Sequence, residues 1–101
     1  MEIRTVAVIG AGTMGAGIAQ ICAQAGWETR LYDTFPEGLA KGMSSIESFW
    51  NRGVEIGKTT EEQKGEWSAN LSASGDMSEA VSEADLVIEA VPEVMELKRE
   101  V

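Results

Sequence analysis

The chain has no histidine among its 101 residues, one cysteine, two prolines, and eight lysines and arginines against seventeen acids. Lacking histidine, it lacks the side chain whose ordinary pKa lies nearest neutrality, the usual general base for proton transfer at neutral pH. No catalytic residue and no metal ligand is assigned within it. A lone Cys22 excludes an internal disulfide. With a formal charge of −9 there is no basic stripe for nucleic acid or an anionic membrane surface. The apolar runs fall far short of the ~20 residues that span a bilayer, and the N-terminus starts on strand-like residues without a signal-peptide pattern. A soluble, cytoplasmic domain is expected, with neither nucleic acid nor membrane as partner.

What is present is 44% hydrophobic residues, enough for one small core and too little chain for two domains. They are organised around Val6-Ala7-Val8-Ile9-Gly10-Ala11-Gly12-Thr13-Met14-Gly15-Ala16-Gly17-Ile18-Ala19. Val6, Val8 and Ile9 are β-branched without polar alternation, which suits a parallel strand covered on both faces. Gly10 lets the chain turn tightly. Gly12 lacks a Cβ, so a pyrophosphate can approach the backbone, and Gly15 lets the following helix lie close to the strand. The first amides of that helix have no intrahelical partners and sit at the positive end of its dipole, a place suited to an anion. A glycine turn alone is a weak signal. Here Asp33 closes the next apolar strand roughly 20 residues on, and the two features together form the dinucleotide fingerprint.

Asp33 has two open readings. A carboxylate there can accept both ribose hydroxyls of an adenosine, selecting NAD over NADP by repelling a 2′-phosphate. Alternatively it is an acid at a helix N-terminus that only caps the next helix. Neither Thr34 nor Phe35 is an arginine that could receive a 2′-phosphate, which favours NAD. A flavin is the weaker rival, since its binders more often end this strand in glutamate.

Taken in order, the spacing predicts a first strand over 3–9 and a helix over 13–25, with Ile18, Ile21, Cys22 and Ala25 inward, slim alanines at 16, 19 and 23, and Gly26 as a left-handed stop. Cys22 on that face reads as a buried, inert thiol rather than a reactive one. The second strand is Glu28 to Tyr32. Leu39, Met43, Ile46, Trp50 and Val54 predict a longer helix from Pro36 to about Gly57. Thr60 and Gln63 form a capping box for a short helix to about Ala69, anchored by Trp67. Such a hairpin exceeds the usual short connection and is either functional or an ornament or oligomer contact. Leu71 to Ser74 make a third strand, Asp76 and Glu79 open a short helix ending near Ala84, and Leu86 to Val91 make a fourth strand, interrupted by Glu89. A last helix is expected from Pro92 and Glu93, with Val94, Leu97 and Val101 on one face. Glu93 by itself reads equally as an acid at a helix start.

The fold class expected is α/β: a Rossmann-type open parallel sheet of order 3-2-1-4 with a helical hairpin inserted between strands 2 and 3. In that order ligands bind outside the carboxyl ends of strands one and four, where Gly10 to Gly15, Asp33 and the Ala90 to Glu93 segment should converge.

With these residues in hand the chain resembles the start of the 3-hydroxyacyl-CoA dehydrogenases. The glycine-rich run, Leu31-Tyr32-Asp33, and Ala84-Asp85-Leu86-Val87-Ile88-Glu89-Ala90-Val91-Pro92-Glu93 with Leu97-Lys98 carry the resemblance, the Ile-Glu-Ala-Val-Pro-Glu run most specifically. It implies NAD as cofactor, with Gly10, Ala11, Gly12, Thr13, Met14 and Gly15 around the pyrophosphate, Asp33 on the adenosine ribose, and Ala90, Glu93 and Lys98 along the nicotinamide half. It also implies an acyl-CoA substrate beside the hairpin. Phe49 and Ile56 stand near places where the family carries small polar or basic residues for CoA, with Ser48, Arg52 and Lys58 nearby.

The family's general base is a histidine, oriented by a glutamate, in segments beyond the last helix expected here. The chain is therefore expected to be the N-terminal part of a dinucleotide-binding domain in a longer enzyme, inactive alone, whose parent dimerises through a further C-terminal domain. Two other readings stay open: a free-standing nucleotide-binding or regulatory module, and a related dehydrogenase acting on a sugar acid or carnitine.

Overall fold

The computed structural model describes residues 4–82, 84–90 and, as backbone, 95–99. Five strands form one sheet in the order β3-β2-β1-β4-β5: β1 (Thr5–Ile9), β2 (Glu28–Tyr32), β3 (Leu71–Ala73), β4 (Leu86–Ala90) and β5 (Met95–Arg99). The first four run parallel, with Val8 opposite both Leu31 and Ile88. This is the expected 3-2-1-4 sheet.

β1 lies at its centre, and its side chains alternate between two cores. Val6 and Val8 join one core with Leu31 and Ile88, whereas Ala7 and Ile9 join the other with Ala80, Ala84 and Val87. Burial on both faces is why the strand carries no polar alternation. Asp85 ties its start to β4, accepting the backbone N–H groups of Arg4 and Thr5 at 2.9 and 3.0 Å.

α1 (Thr13–Gln24) packs on the first core by a face that shares Ile18 and Cys22 with the expected one but is turned from Ile21 and Ala25 toward the slim alanines. Gly15, Ala16, Ala19, Cys22 and Ala23 are buried, Ile18 is half-buried, and Ile21 and Ala25 are exposed. A helix lying this close to a sheet turns its smallest side chains inward, so the alanine stripe wins over the larger isoleucines. Gly26 closes the helix at φ +94°.

The insertion between β2 and β3 is a helical hairpin, α2 (Pro36–Glu55) and α3 (Glu61–Ala69). Ile46 and Trp50 of α2 are buried in the first core, with Leu39 and Met43 packed beside them. The Trp50 indole N–H donates to Gln24 Oε1 at 3.0 Å, and its ring centroid lies 5.9 Å from that of Trp67 on α3. Thr60 and Gln63 form the expected reciprocal cap. Asn70 Nδ2 donates to the Ala23 carbonyl near the end of α1. On the opposite face α4 (Met77–Val81) starts at Asp76, whose carboxylate accepts from Ser78 N–H, and Arg30 from β2 donates to the carbonyls of Glu79 and Ser82 at its far end.

The expected last helix is not formed. Met95–Arg99 is instead β5, antiparallel to β4, with Ile88 opposite Leu97 and Ala90 opposite Met95. Helical spacing of Leu97 with Val94 and Val101 competes with a strict alternation in Met95-Glu96-Leu97-Lys98, and the latter is a strand pattern. Pairing satisfies the backbone groups along the free edge of β4. Pro92, Glu93, Val94 and Val101 lie outside the described residues.

Candidate functional site

Three glycines shape the turn that leaves β1, and they do so for different reasons. Gly10 has φ +106°, and its N–H donates to the Tyr32 carbonyl at 2.7 Å. A Cβ there would stand 2.1 Å from the Ala90 carbonyl oxygen, so the turn is wedged between the ends of β2 and β4. A Cβ on Gly15 would stand 1.6 Å from the Gly10 carbonyl oxygen. Both glycines are demanded by the protein's own packing. Gly12 is not: its φ is −69°, and nothing lies within 4 Å of the point its Cβ would occupy. The space is open on the side from which a ligand would approach.

Behind Gly12 stands the N-terminus of α1, which has neither a side-chain cap nor an acid in its first turn. In a chain with seventeen acids that is a distinction. The first turn of α2 carries Glu37, that of α3 carries Glu61 and Glu62, and that of α4 carries Glu79. No acid within its own first turn offsets the positive end of the α1 dipole, an arrangement that suits a bound phosphate.

Asp33, half-buried just past β2, closes the other side. Its Oδ2 accepts the Ala11 N–H at 2.8 Å, and its Oδ1 accepts the Phe35 N–H at 2.8 Å. The second bond fixes the bend before α2 without capping that helix, whose N-cap residue Phe35 makes no side-chain cap. Each carboxylate oxygen retains acceptor capacity for a hydroxyl. The first turn of α2 lies alongside, since a Cβ on Gly38 would come within 3.4 Å of the Asp33 carboxylate. One turn further on, a Cβ on Gly42 would meet the Ala11 carbonyl oxygen at 2.7 Å. The inserted hairpin is thus seated directly on the glycine turn.

These pieces border one cleft of about 500 Å³, within the range of small-molecule sites. Of the residues expected there, Gly10, Gly12, Thr13, Met14, Gly15, Asp33 and Ala90 line it, and Ala11 is buried behind it. Glu93 lies outside the described residues. Lys98 is opposite Val87, three residues from Ala90 and so about 10 Å along β4, which leaves its backbone away from the cleft. Sequence reasoning missed Phe35, a residue 72% exposed that lines the cleft. The available signal was an aromatic residue two places after the acid, where a solvated turn residue would be usual.

Ser48, Arg52 and Ile56 border a separate shallow depression on α2, and Phe49 is exposed on the same helix. Cys22 is buried and free, and desolvation pushes its thiol pKa up, so the inert reading applies. Among the described residues no group of histidine, cysteine and acidic side chains could hold a metal ion, and no helix is long and apolar enough to cross a membrane.

Residues 5–101 match the family described as "3-hydroxyacyl-CoA dehydrogenase, NAD binding domain". A probable 3-hydroxybutyryl-CoA dehydrogenase of Bacillus subtilis is 42% identical over 100 residues, which cover 99% of this chain and 34% of that protein. The 3-hydroxyadipyl-CoA dehydrogenase of Escherichia coli is 41% identical over 99 residues, covering 98% and 21% respectively. The crystal structure of 3-hydroxybutyryl-CoA dehydrogenase from Escherichia coli K12 superposes with a TM-score of 0.86 at 41% identity, over 93% of this chain and 20% of that one. The chain therefore spans about a third or less of the length of these relatives. By sequence, by sheet order and by the architecture of its glycine turn, the chain belongs to the NAD-binding domain of the 3-hydroxyacyl-CoA dehydrogenase family.

Proposed function

We propose that residues 1–101 form the first part of the NAD-holding domain of an enzyme that oxidises a 3-hydroxyacyl-CoA to the 3-oxoacyl-CoA. The observation that carries this reading is the pairing of open space at Gly12 with an α1 N-terminus that no acid in its first turn neutralises. The turn from Gly10 to Gly15 holds the pyrophosphate through backbone N–H groups, which explains how a chain of net charge −9 binds an anion. Asp33 accepts the adenosine ribose hydroxyls and disfavours a 2′-phosphate. Ala90 borders the nicotinamide half; Glu93 is assigned to that half by family membership alone, and Lys98, whose backbone pairs with Val87, would reach it only through its long side chain.

When bound, NAD supplies the hydride acceptor; the chain's residues bind and orient it. The proton of the substrate's 3-hydroxyl falls to a base outside this chain, which has no histidine. Acyl-CoA recognition and dimer contacts belong to the longer parent, and a cytoplasmic location goes with that reading. The isolated chain is expected to bind NADH saturably, to bind NADPH more weakly, and to leave NAD unreduced when given 3-hydroxybutyryl-CoA. Equal affinity for NADPH removes Asp33 from the ribose site, absence of NADH binding removes the whole reading, and turnover by the chain alone refutes the division of labour.

A further inference from the structure

Phe35 is 72% exposed, although the chain buries Trp50 almost completely and half-buries Trp67 and Trp27. The one aromatic pair among the described residues is Trp50 with Trp67, so Phe35 stacks on no described ring of its own chain. It is nonetheless anchored. Its N–H is bonded to Asp33 Oδ1, and the other oxygen of that carboxylate is bonded to Ala11 in the glycine turn. Glycine turn, acid and aromatic residue thus follow one another along the cleft, joined through a single carboxylate.

That order matches the covalent order of a nucleoside diphosphate: phosphate, ribose, base. The sheet order gives the direction. β2 and β4 flank β1 on opposite sides, and Phe35 lies on the β2 side whereas Ala90 ends β4. A ligand with its diphosphate at Gly12 and one ribose at Asp33 has that ribose's base next to Phe35 and its other half directed toward Ala90.

We propose that Phe35 is the base platform of the site, its ring stacking on the adenine of the dinucleotide. The inference rests on the NAD-binding reading above. Stacking uses the π face that every planar base has, so the ring contributes affinity rather than choice of base. Phe35 positions the adenosine half and leaves discrimination of the 2′ position to Asp33.

The test is calorimetric titration of the 101-residue chain with ADP-ribose and with NADH. Phe35→Ala is expected to weaken both ligands equally, by about tenfold or more, the order of magnitude of one base–aromatic stack. Phe35→Tyr, which keeps the π face, is expected to stay within about twofold of the unsubstituted chain. Phe49→Ala removes another exposed phenylalanine, outside the cleft, and should change neither titration. If Phe35→Ala lowers the melting temperature, Phe35→Leu is read in its place, and it too should lose affinity because it keeps apolar volume without the π face. Undiminished ADP-ribose binding by Phe35→Ala or Phe35→Leu, or a loss in Phe35→Tyr as large as in Phe35→Ala, overturns the platform while leaving the NAD reading intact. An unsubstituted chain that binds neither ligand overturns both.

Discussion

The carboxylate of Asp33 accepts the backbone N–H of Ala11 across a gap of 22 residues in sequence, at 2.8 Å. The acid that ends β2 therefore also holds the glycine turn in place, before any ligand arrives. Its removal has two separable effects. Asp33→Ser is expected to narrow the difference between NADH and NADPH affinity, because the repulsion of a 2′-phosphate goes with the charge. It should also cost about 1–2 kcal/mol of stability through loss of charge-assisted bonds to Ala11 and Phe35. Parallel titrations with the two nucleotides, combined with urea unfolding, check both effects; an unchanged NADH:NADPH ratio would show that the acid has only the structural role.

The glycines should separate in the same way. Gly12→Val places a branched side chain in open space with an ordinary φ, so the fold should survive while NADH binding is abolished. Gly15→Ala forces a Cβ onto the Gly10 carbonyl oxygen, a backbone atom that cannot move aside. The loss should exceed the about 1–3 kcal/mol of an ordinary overpacked core. Circular dichroism melts of the two variants beside NADH titrations give the comparison, and a folded Gly12→Val that retains affinity would move the diphosphate elsewhere.

Trp50 joins the hairpin to the sheet by burial and by its bond to Gln24. Trp50→Ala is expected to cost about 3–5 kcal/mol in urea unfolding. Because α2 presses on Ala11 through Gly42, the same variant should weaken NADH binding even where it remains folded. Unaltered affinity in the folded fraction would make the hairpin a bystander to the site.

Burial raises the Cys22 thiol pKa, which fixes the sign of one pH effect. The folded state favours the neutral thiol, so this contribution is fully present below the ordinary thiol pKa of about 8.5 and is lost as pH rises through the elevated folded value. Unfolding free energy should fall as pH rises from the ordinary thiol value through the elevated folded one, and Cys22→Ala should lack the thiol's share of that fall. A thiol reagent should label the native chain slowly and the urea-unfolded chain fast; equal rates would contradict the buried assignment.

The local features of this molecule were written in local sequence. Continuous apolar residues in β1, the glycine spacing after it, Asp33 at the end of β2 and the Thr60–Gln63 cap each depend on groups a few residues apart, whose geometry the backbone constrains directly. Sheet order followed from the fingerprint, which marks β1 as the central strand of an open parallel sheet with its ligand at the switch point. The inward face of α1 was legible only in part: Ile18 and Cys22 meet the core, whereas Ile21 and Ala25 are exposed, because the close approach of the helix to β1 and β2 turns Ala16, Ala19 and Ala23 inward instead.

Residues 95–99 carry helical and alternating patterns at once, and the free edge of β4 selects the strand. In the site, sequence alone determined that Gly10, Gly12 and Gly15 occur at the spacing of a dinucleotide turn with an acid at the right remove. Only the tertiary structure decided which of those glycines serve packing and which leaves room. It also decided that the hairpin bears on Ala11 and that Phe35 stands in the cleft. Those answers depend on distances between chain segments that meet only when α2 and β4 close around the turn.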